Sequence, residues 1–134
     1  MIAVDTSVVI AGFASWHEGH RPAATVLSRE PRVPAHVLVE TYSVLTRLPP
    51  PHRASSAIVT AFLAQQFRQA PLTLASRGWL RLLDRAAELG VTGGAVYDAL
   101  VAETARHAGA TLLTRDRRAV AVYEKIGATY ELVF

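Results

Sequence analysis

The 134-residue chain has no cysteine, which excludes disulfides, thiolate metal sites and cysteine nucleophiles and is compatible with a reducing compartment. It also lacks any run of roughly 20 uncharged apolar residues, the length of a membrane-spanning helix, because Arg, Asp or Glu interrupts every hydrophobic segment. The opening Met1-Ile2-Ala3-Val4-Asp5 has neither the basic stretch nor the apolar run of a signal peptide, so a soluble, cytoplasmic protein with no membrane association is expected. Lysine is nearly missing: of 14 basic residues all but Lys125 are arginine, against 11 acids, leaving +3. Arginine's planar fork suits phosphate, although a GC-rich genome favours arginine without any function. Internal repeats and low-complexity tracts are absent.

What is present is a hydrophobic fraction of 51%, enough for one substantial core and a single domain over 1–134. The apolar run 2–4 reads as a strand that breaks at Asp5, with Thr6 or Ser7 capping a helix through Val8 to Ala11. A loop over 15–21 precedes a helix over 23–28, and Pro31 and Pro34 bracket a short extended piece. A helix over 35–48 ends at three prolines, and Val37, Glu40 and Val44 share one face by their spacing. A second helix, over 55–68, is expected to turn Ile58, Phe62 and Leu63 to the core, with a short strand at 71–74.

Over 76–89 the helical division is clean, with Trp79, Leu80, Leu82, Leu83, Ala86, Ala87 and Leu89 on the apolar half and Arg77, Arg81, Asp84, Arg85 and Glu88 on the wet half. Gly90 and Gly109 bound a helix over 95–107 that points Asp98 along Val101, Ala102 and Ala105, away from Glu103 and His107. A strand over 110–114 ends at Arg115-Asp116, where a helix carrying Val120, Val122 and Ile126 begins, and 130–134 forms a last strand. Alternating strands and helices predict an α/β fold with a mostly parallel sheet covered on both faces. In such sheets the crevice beyond the carboxyl ends of the strands takes the ligand, and Asp5 and Asp116 lie there.

Three of the four aspartates, Asp5, Asp98 and Asp116, thus join Glu40 at strand ends or on apolar helix stripes. Each has an ordinary reading alone: Asp5 a turn residue, Asp116 an N-cap, Asp98 a first-turn acid favoured by the helix dipole, Glu40 a partner of Arg47. Together they describe a carboxylate cluster, whose mutual repulsion calls for a cation. Oxygen ligands without nearby Cys or His favour Mg²⁺ or Mn²⁺ over zinc and imply metal-assisted phosphodiester hydrolysis. A haloacid-dehalogenase-type phosphatase needs an acid where Ser7 stands, and a phospho-receiver needs a late lysine that Lys125 does not supply.

Val4-Asp5-Thr6-Ser7, Glu40 in its helix, Tyr97-Asp98-Ala99-Leu100-Val101-Ala102 and Leu113-Thr114-Arg115-Asp116 resemble the PIN-domain ribonucleases, and more narrowly the VapC toxins of VapBC toxin–antitoxin systems. The resemblance covers essentially the full chain. Glu40-Thr41 followed by Leu45-Thr46-Arg47-Leu48-Pro49 and Arg53 looks like a subgroup trait. It implies a PIN-like three-layer α/β/α sandwich and an endoribonuclease toxin that hydrolyses structured RNA such as tRNA or rRNA. Asp5, Glu40, Asp98 and Asp116 become the catalytic and metal-binding quartet, supported by Thr114 and by Thr6 or Ser7, with Mg²⁺ or Mn²⁺ as cofactor. A VapB-type antitoxin and a second copy of the chain are the implied protein partners. The competing reading, a catalytically silent PIN-fold module that binds RNA or protein, would tolerate loss of acids, yet all four are present.

The remaining polar residues are read as surface. His17 and His20 have an HxxH spacing but no third ligand nearby. Arg115, Arg117 and Arg118 beside Asp116, and the row Arg77, Arg81 and Arg85, fit solvated positions better than an RNA track.

Overall fold

The computed structural model describes Met1–Phe134, and three parallel strands in the order β1-β2-β3 organise it. They are β1 (Ile2–Val4), β2 (Thr111–Thr114) and β3 (Tyr130–Leu132). Ile2 pairs with Thr111 and Val4 with Leu113, while Leu112 pairs with Tyr130 and Thr114 with Leu132. Beyond β1 the sheet continues as single bridges, Ala3 with Arg32 and Pro34 with Leu72, both parallel. The segments expected as extended at 31–34 and as a strand at 71–74 are therefore one bridge wide, since proline lacks the N–H that a longer ladder needs. Every strand points its carboxyl end to the same rim.

Seven helices cover the sheet: α1 (Thr6–Phe13), α2 (His20–Leu27), α3 (Ala35–Arg47), α4 (Ser56–Gln66), α5 (Gly78–Leu89), α6 (Ala95–His107) and α7 (Arg117–Ile126). None is long and apolar enough to cross a membrane. Strands and helices build one core of 25 buried residues, with Val4, Leu112 and Leu113 from the sheet meeting Val8 and Val9 of α1, Ala99 and Ala102 of α6 and Ile126 of α7. At α1 the cap is Asp5 itself, which accepts from the Val8 amide, rather than Thr6 or Ser7. Gly90 and Gly127 end α5 and α7 in the left-handed conformation, where a side chain would be strained.

Three expected burial patterns are corrected by the packing. Helix α4 buries Val59 and half-buries Phe62 and Leu63, with Phe62 edge-on to Phe13 at 5.1 Å, but Ile58 faces out in its first turn. On α5 only Leu82 and Ala86 are buried, whereas Trp79, Leu80 and Leu83 are exposed, because the helix meets the body along a line narrower than its apolar half. In α3 the buried stripe is Val37, Thr41 and Leu45, which leaves Glu40 on its shoulder.

The largest departure is Glu103, expected on the wet side of α6 and instead 2% exposed. Helix α6 is buried nearly all round, so its polar positions are drawn in too. The Glu103 carboxylate pairs with Arg85 Nε at 3.1 Å, Arg106 Nη2 at 2.8 Å and His107 Nε2 at 3.2 Å. Arg85 also donates to the Ile126 carbonyl at 2.8 Å, so this arginine leaves the expected solvated row and ties α5 to α6 and to the end of α7. Glu103→Ala is expected to lower the unfolding free energy by about 2 kcal/mol, since it strands a guanidinium cluster that is only partly hydrated. Urea unfolding checks this, and an unchanged midpoint would contradict the clamp.

Candidate active site

Asp5 sits where β1 gives way to α1 and is 4% exposed. Its Oδ1 accepts from Ser7 Oγ at 2.5 Å and from the Val8 amide at 3.3 Å. Its Oδ2 accepts from Thr114 Oγ1 and, at 2.8 Å, from the Tyr123 hydroxyl. The same two short hydroxyls also accept: Ser7 Oγ from the Arg115 amide at 2.8 Å, and Thr114 Oγ1 from the Asp116 amide at 3.0 Å. One carboxylate thereby stitches the end of β1 to the end of β2. Burial pushes the Asp5 carboxyl above its ordinary value, and the three hydroxyls and the Val8 amide oppose the shift.

The other three acids reach the same place from separate elements. Asp98 comes from the first turn of α6, Glu40 from the shoulder of α3, and Asp116 from the start of α7. All four carboxylates line one small recess with Thr6, Ser7, Val101 and Tyr123. Asp116 doubles as the α7 N-cap, accepting from the Arg118 amide at 3.0 Å. Glu40 lies 3.6 Å from His36 Nε2 instead of pairing with Arg47, which donates to Ser43 Oγ at 2.8 Å.

Asp98 registers the crowding most directly. Burial first, then the charges of Asp116, Glu40 and Asp5, push its carboxyl from 3.8 up to about 6, against a small opposing pull from Arg118. No protein hydrogen bond is among the influences on it. The recess also holds the buried Thr6 Oγ1, which has no partner. Four oxygen donors, one unengaged carboxylate and one unpaired hydroxyl fit a hard divalent cation. As they stand, no three of these side chains are gathered closely enough to share one ion, so binding requires them to draw together.

Sequence reasoning brought forward Thr6, Ser7 and Thr114, and all three lie at the recess or on Asp5. It missed Tyr123. The signal was available, because Ala119, Tyr123 and Ile126 form the buried i, i+4, i+7 stripe of α7 and a buried tyrosine needs a hydroxyl partner. Val120 and Val122 on the same helix are half-buried. The two histidines, expected as surface groups, are half-buried and bind the backbone instead: His17 Nδ1 accepts from the Gly19 amide and His20 Nδ1 lies 2.9 Å from the Ala11 carbonyl. Arg115 is not simply solvated, for it donates to the Val133 carbonyl at 2.8 Å, and Arg117 sits 4.5 Å over the Phe134 ring, while Arg118 extends into solvent.

Residues 2–125 match the PIN domain family. The chain is 56% identical to ribonuclease VapC40 of Mycobacterium tuberculosis over 133 residues, covering 99% of both chains. It is 47% identical to ribonuclease VapC27 of the same organism over 129 residues, covering 94% of this chain and 92% of that one. Among solved structures it resembles FitAcB from Neisseria gonorrhoeae, with a TM-score of 0.68 at 17% identity over 97% of this chain and 96% of the other. It also resembles VapBC2 from Rickettsia felis bound to a DNA fragment from its promoter, with a TM-score of 0.67 at 14% identity and full coverage of both chains. These structural likenesses establish a PIN fold, an α/β sandwich about a parallel sheet. The chain belongs to the PIN-domain family and, within it, to the VapC ribonucleases.

Two outcomes test the geometry. The native chain keeps the Asp98 proton up to about pH 6 while an unfolded chain releases it near 3.8, so stability falls as pH rises through that window. In chelator, Asp98→Asn is expected to flatten that part of the profile and to raise the unfolding free energy at neutral pH by about 1 kcal/mol, short of the full linkage because the side chain is half exposed. A variant no more stable than wild type would contradict the crowding. Tyr123→Phe removes one donor from a buried carboxylate and is expected to cost about 1–2 kcal/mol in thermal or urea unfolding.

Proposed function

We propose that the chain is an endoribonuclease toxin that hydrolyses phosphodiester bonds in structured RNA, with a divalent cation, Mg²⁺ or Mn²⁺, held by Asp5, Glu40, Asp98 and Asp116. The observation that carries this reading is the convergence of the four carboxylates on one recess at the carboxyl rim of the sheet. The names of the VapC relatives support the ribonuclease activity, and the all-oxygen donor set supports the cation. When bound, the cation polarises the phosphoryl oxygen and lowers the cost of generating a hydroxide nucleophile.

The chain's own residues have separable tasks. Asp5 is held rigid by Ser7, Thr114 and Tyr123, so it sets the position of the centre. Glu40 and Asp98 face the recess with fewer restraints, which leaves their carboxylates free to meet the cation. Asp116 is anchored through its backbone amide to Thr114 and completes the anionic wall. Thr6, with its unpaired hydroxyl at the recess, is a further hydrogen-bonding support. The exposed guanidinium of Arg118 beside Asp116 is placed to meet a phosphate of the RNA backbone.

A VapB-type antitoxin and a second copy of the chain complete the reading. The antitoxin is supported by the likeness to VapBC2 from Rickettsia felis bound to a DNA fragment. Purified wild type is expected to cleave total RNA with Mg²⁺ or Mn²⁺ and to stop in chelator, while Asp5→Ala and Asp98→Asn, checked for folding by circular dichroism, lose cleavage. Equal cleavage by all three, or none by folded wild type with either ion, would sink the proposal. End-mapping of the fragments then locates the cut.

A further inference from the structure

A second cleft opens directly beside the acidic recess and shares Glu40 with it. It has a volume of about 430 Å³ and is lined by His36, Val39, Glu40, Ser43, Arg47 and Tyr97. One wall is aromatic: the His36 and Tyr97 rings are stacked, with centroids 5.2 Å apart and planes 3° from parallel. Tyr97 is 53% exposed, and its backbone neighbour is Asp98. Val39, 68% exposed, adds an apolar surface. At the opposite end Arg47 donates to Ser43 Oγ, which leaves the rest of an exposed guanidinium and a hydroxyl facing the cleft.

None of these features serves the core. An exposed tyrosine ring backed by a second ring loses hydration without gaining a buried partner, and the His36 Nε2 is shielded from water with no hydrogen bond. A flat apolar wall, an apolar side and a hydrogen-bonding end together match a nucleobase, which has two apolar faces and a polar edge. Because Glu40 lines both spaces, a base in this cleft lies one residue's width from the scissile phosphate. Such a base belongs to a nucleotide flanking the cut.

The geometry points to a nucleobase subsite in this cleft, in which an unpaired base of the substrate RNA stacks on Tyr97, with His36 backing the ring and Arg47 and Ser43 reading the base edge or its phosphate. The inference rests on the endoribonuclease reading and adds the feature that chooses where the cut falls. The ring does not take part in the chemistry. It holds one nucleotide so that the next phosphate enters the acidic recess.

The test uses a short fluorescein-labelled RNA covering the cleavage site mapped in total RNA, with a matched series carrying one abasic nucleotide at each position in turn. Binding is read by anisotropy in EDTA, and cleavage with Mg²⁺ or Mn²⁺ as separate kcat and KM. Tyr97→Ala is expected to weaken binding and raise KM by roughly tenfold, the scale of one lost base–aromatic stack, more than it lowers kcat. Tyr97→Phe, which keeps the ring, recovers most of that loss. At one abasic position wild type and Tyr97→Ala bind alike, because the stack is already missing.

Equal binding of the intact RNA by wild type and a folded Tyr97→Ala overturns the subsite and leaves the nuclease reading standing. Failure of every abasic position to remove the cost of the substitution overturns it as well. A change of oligomeric state in Tyr97→Ala by light scattering would assign the face to an interface between copies and overturn the subsite. No binding and no cleavage by wild type would overturn both readings.

Discussion

The carboxylate of Asp5, buried at the end of the first strand, is the constraint on which the site depends. An ionised group in that position is costly unless every oxygen is engaged, and here two short hydroxyls, a tyrosine and a helix amide engage both oxygens. Those partners come from α1 near the start of the chain and from β2 and α7 more than a hundred residues later. Satisfying one charge therefore fixes the relative positions of two strand ends and two helix starts. Ser7 and Thr114 pass the constraint on, because the oxygens that donate to Asp5 also accept from the amides of Arg115 and Asp116. The loop carrying Asp116 is aimed by its backbone before its side chain meets anything.

Against that rigid corner the other acids are held more loosely. Asp98 has no hydrogen-bond donor among the influences on it, and Glu40 has only a 3.6 Å neighbour in His36. Burial first and then the repulsion among these acids raise the Asp98 carboxyl in the folded state. A folded chain that bears this cost is primed for a cation, which turns mutual repulsion into shared attraction. The same logic separates the two halves of the centre: one side fixes geometry and the other retains freedom to accommodate a ligand. The aromatic cleft lies on the freer side, next to Glu40.

Much of this arrangement was legible in the chain itself. Strand-acid-helix units at Asp5 and Asp116, and the small-residue stripe under Asp98, are local patterns whose spacing states which way a side chain points. Those patterns put Asp5 and Asp116 at one rim and Glu40 and Asp98 on apolar helix stripes, and the structure brings all four to one recess. What local spacing does not carry is the partner across space. Glu103 looked like a solvated helix residue because nothing near it in sequence says that α5 will bring Arg85 against it. Trp79, Leu80 and Leu83 looked like core because periodicity reports an apolar face without reporting how much of it a neighbour covers. Tyr123 was overlooked for the same reason in reverse: its role lies in a hydroxyl that reaches a residue 118 positions away.

Asp116 carries two duties on one side chain, capping α7 and walling the recess. Asparagine caps a helix about as well as aspartate does. One substitution there removes one of the four charges while sparing the helix start, and the rigid corner around Asp5 does not depend on it. The recess can therefore lose charge at this position while the fold keeps its shape.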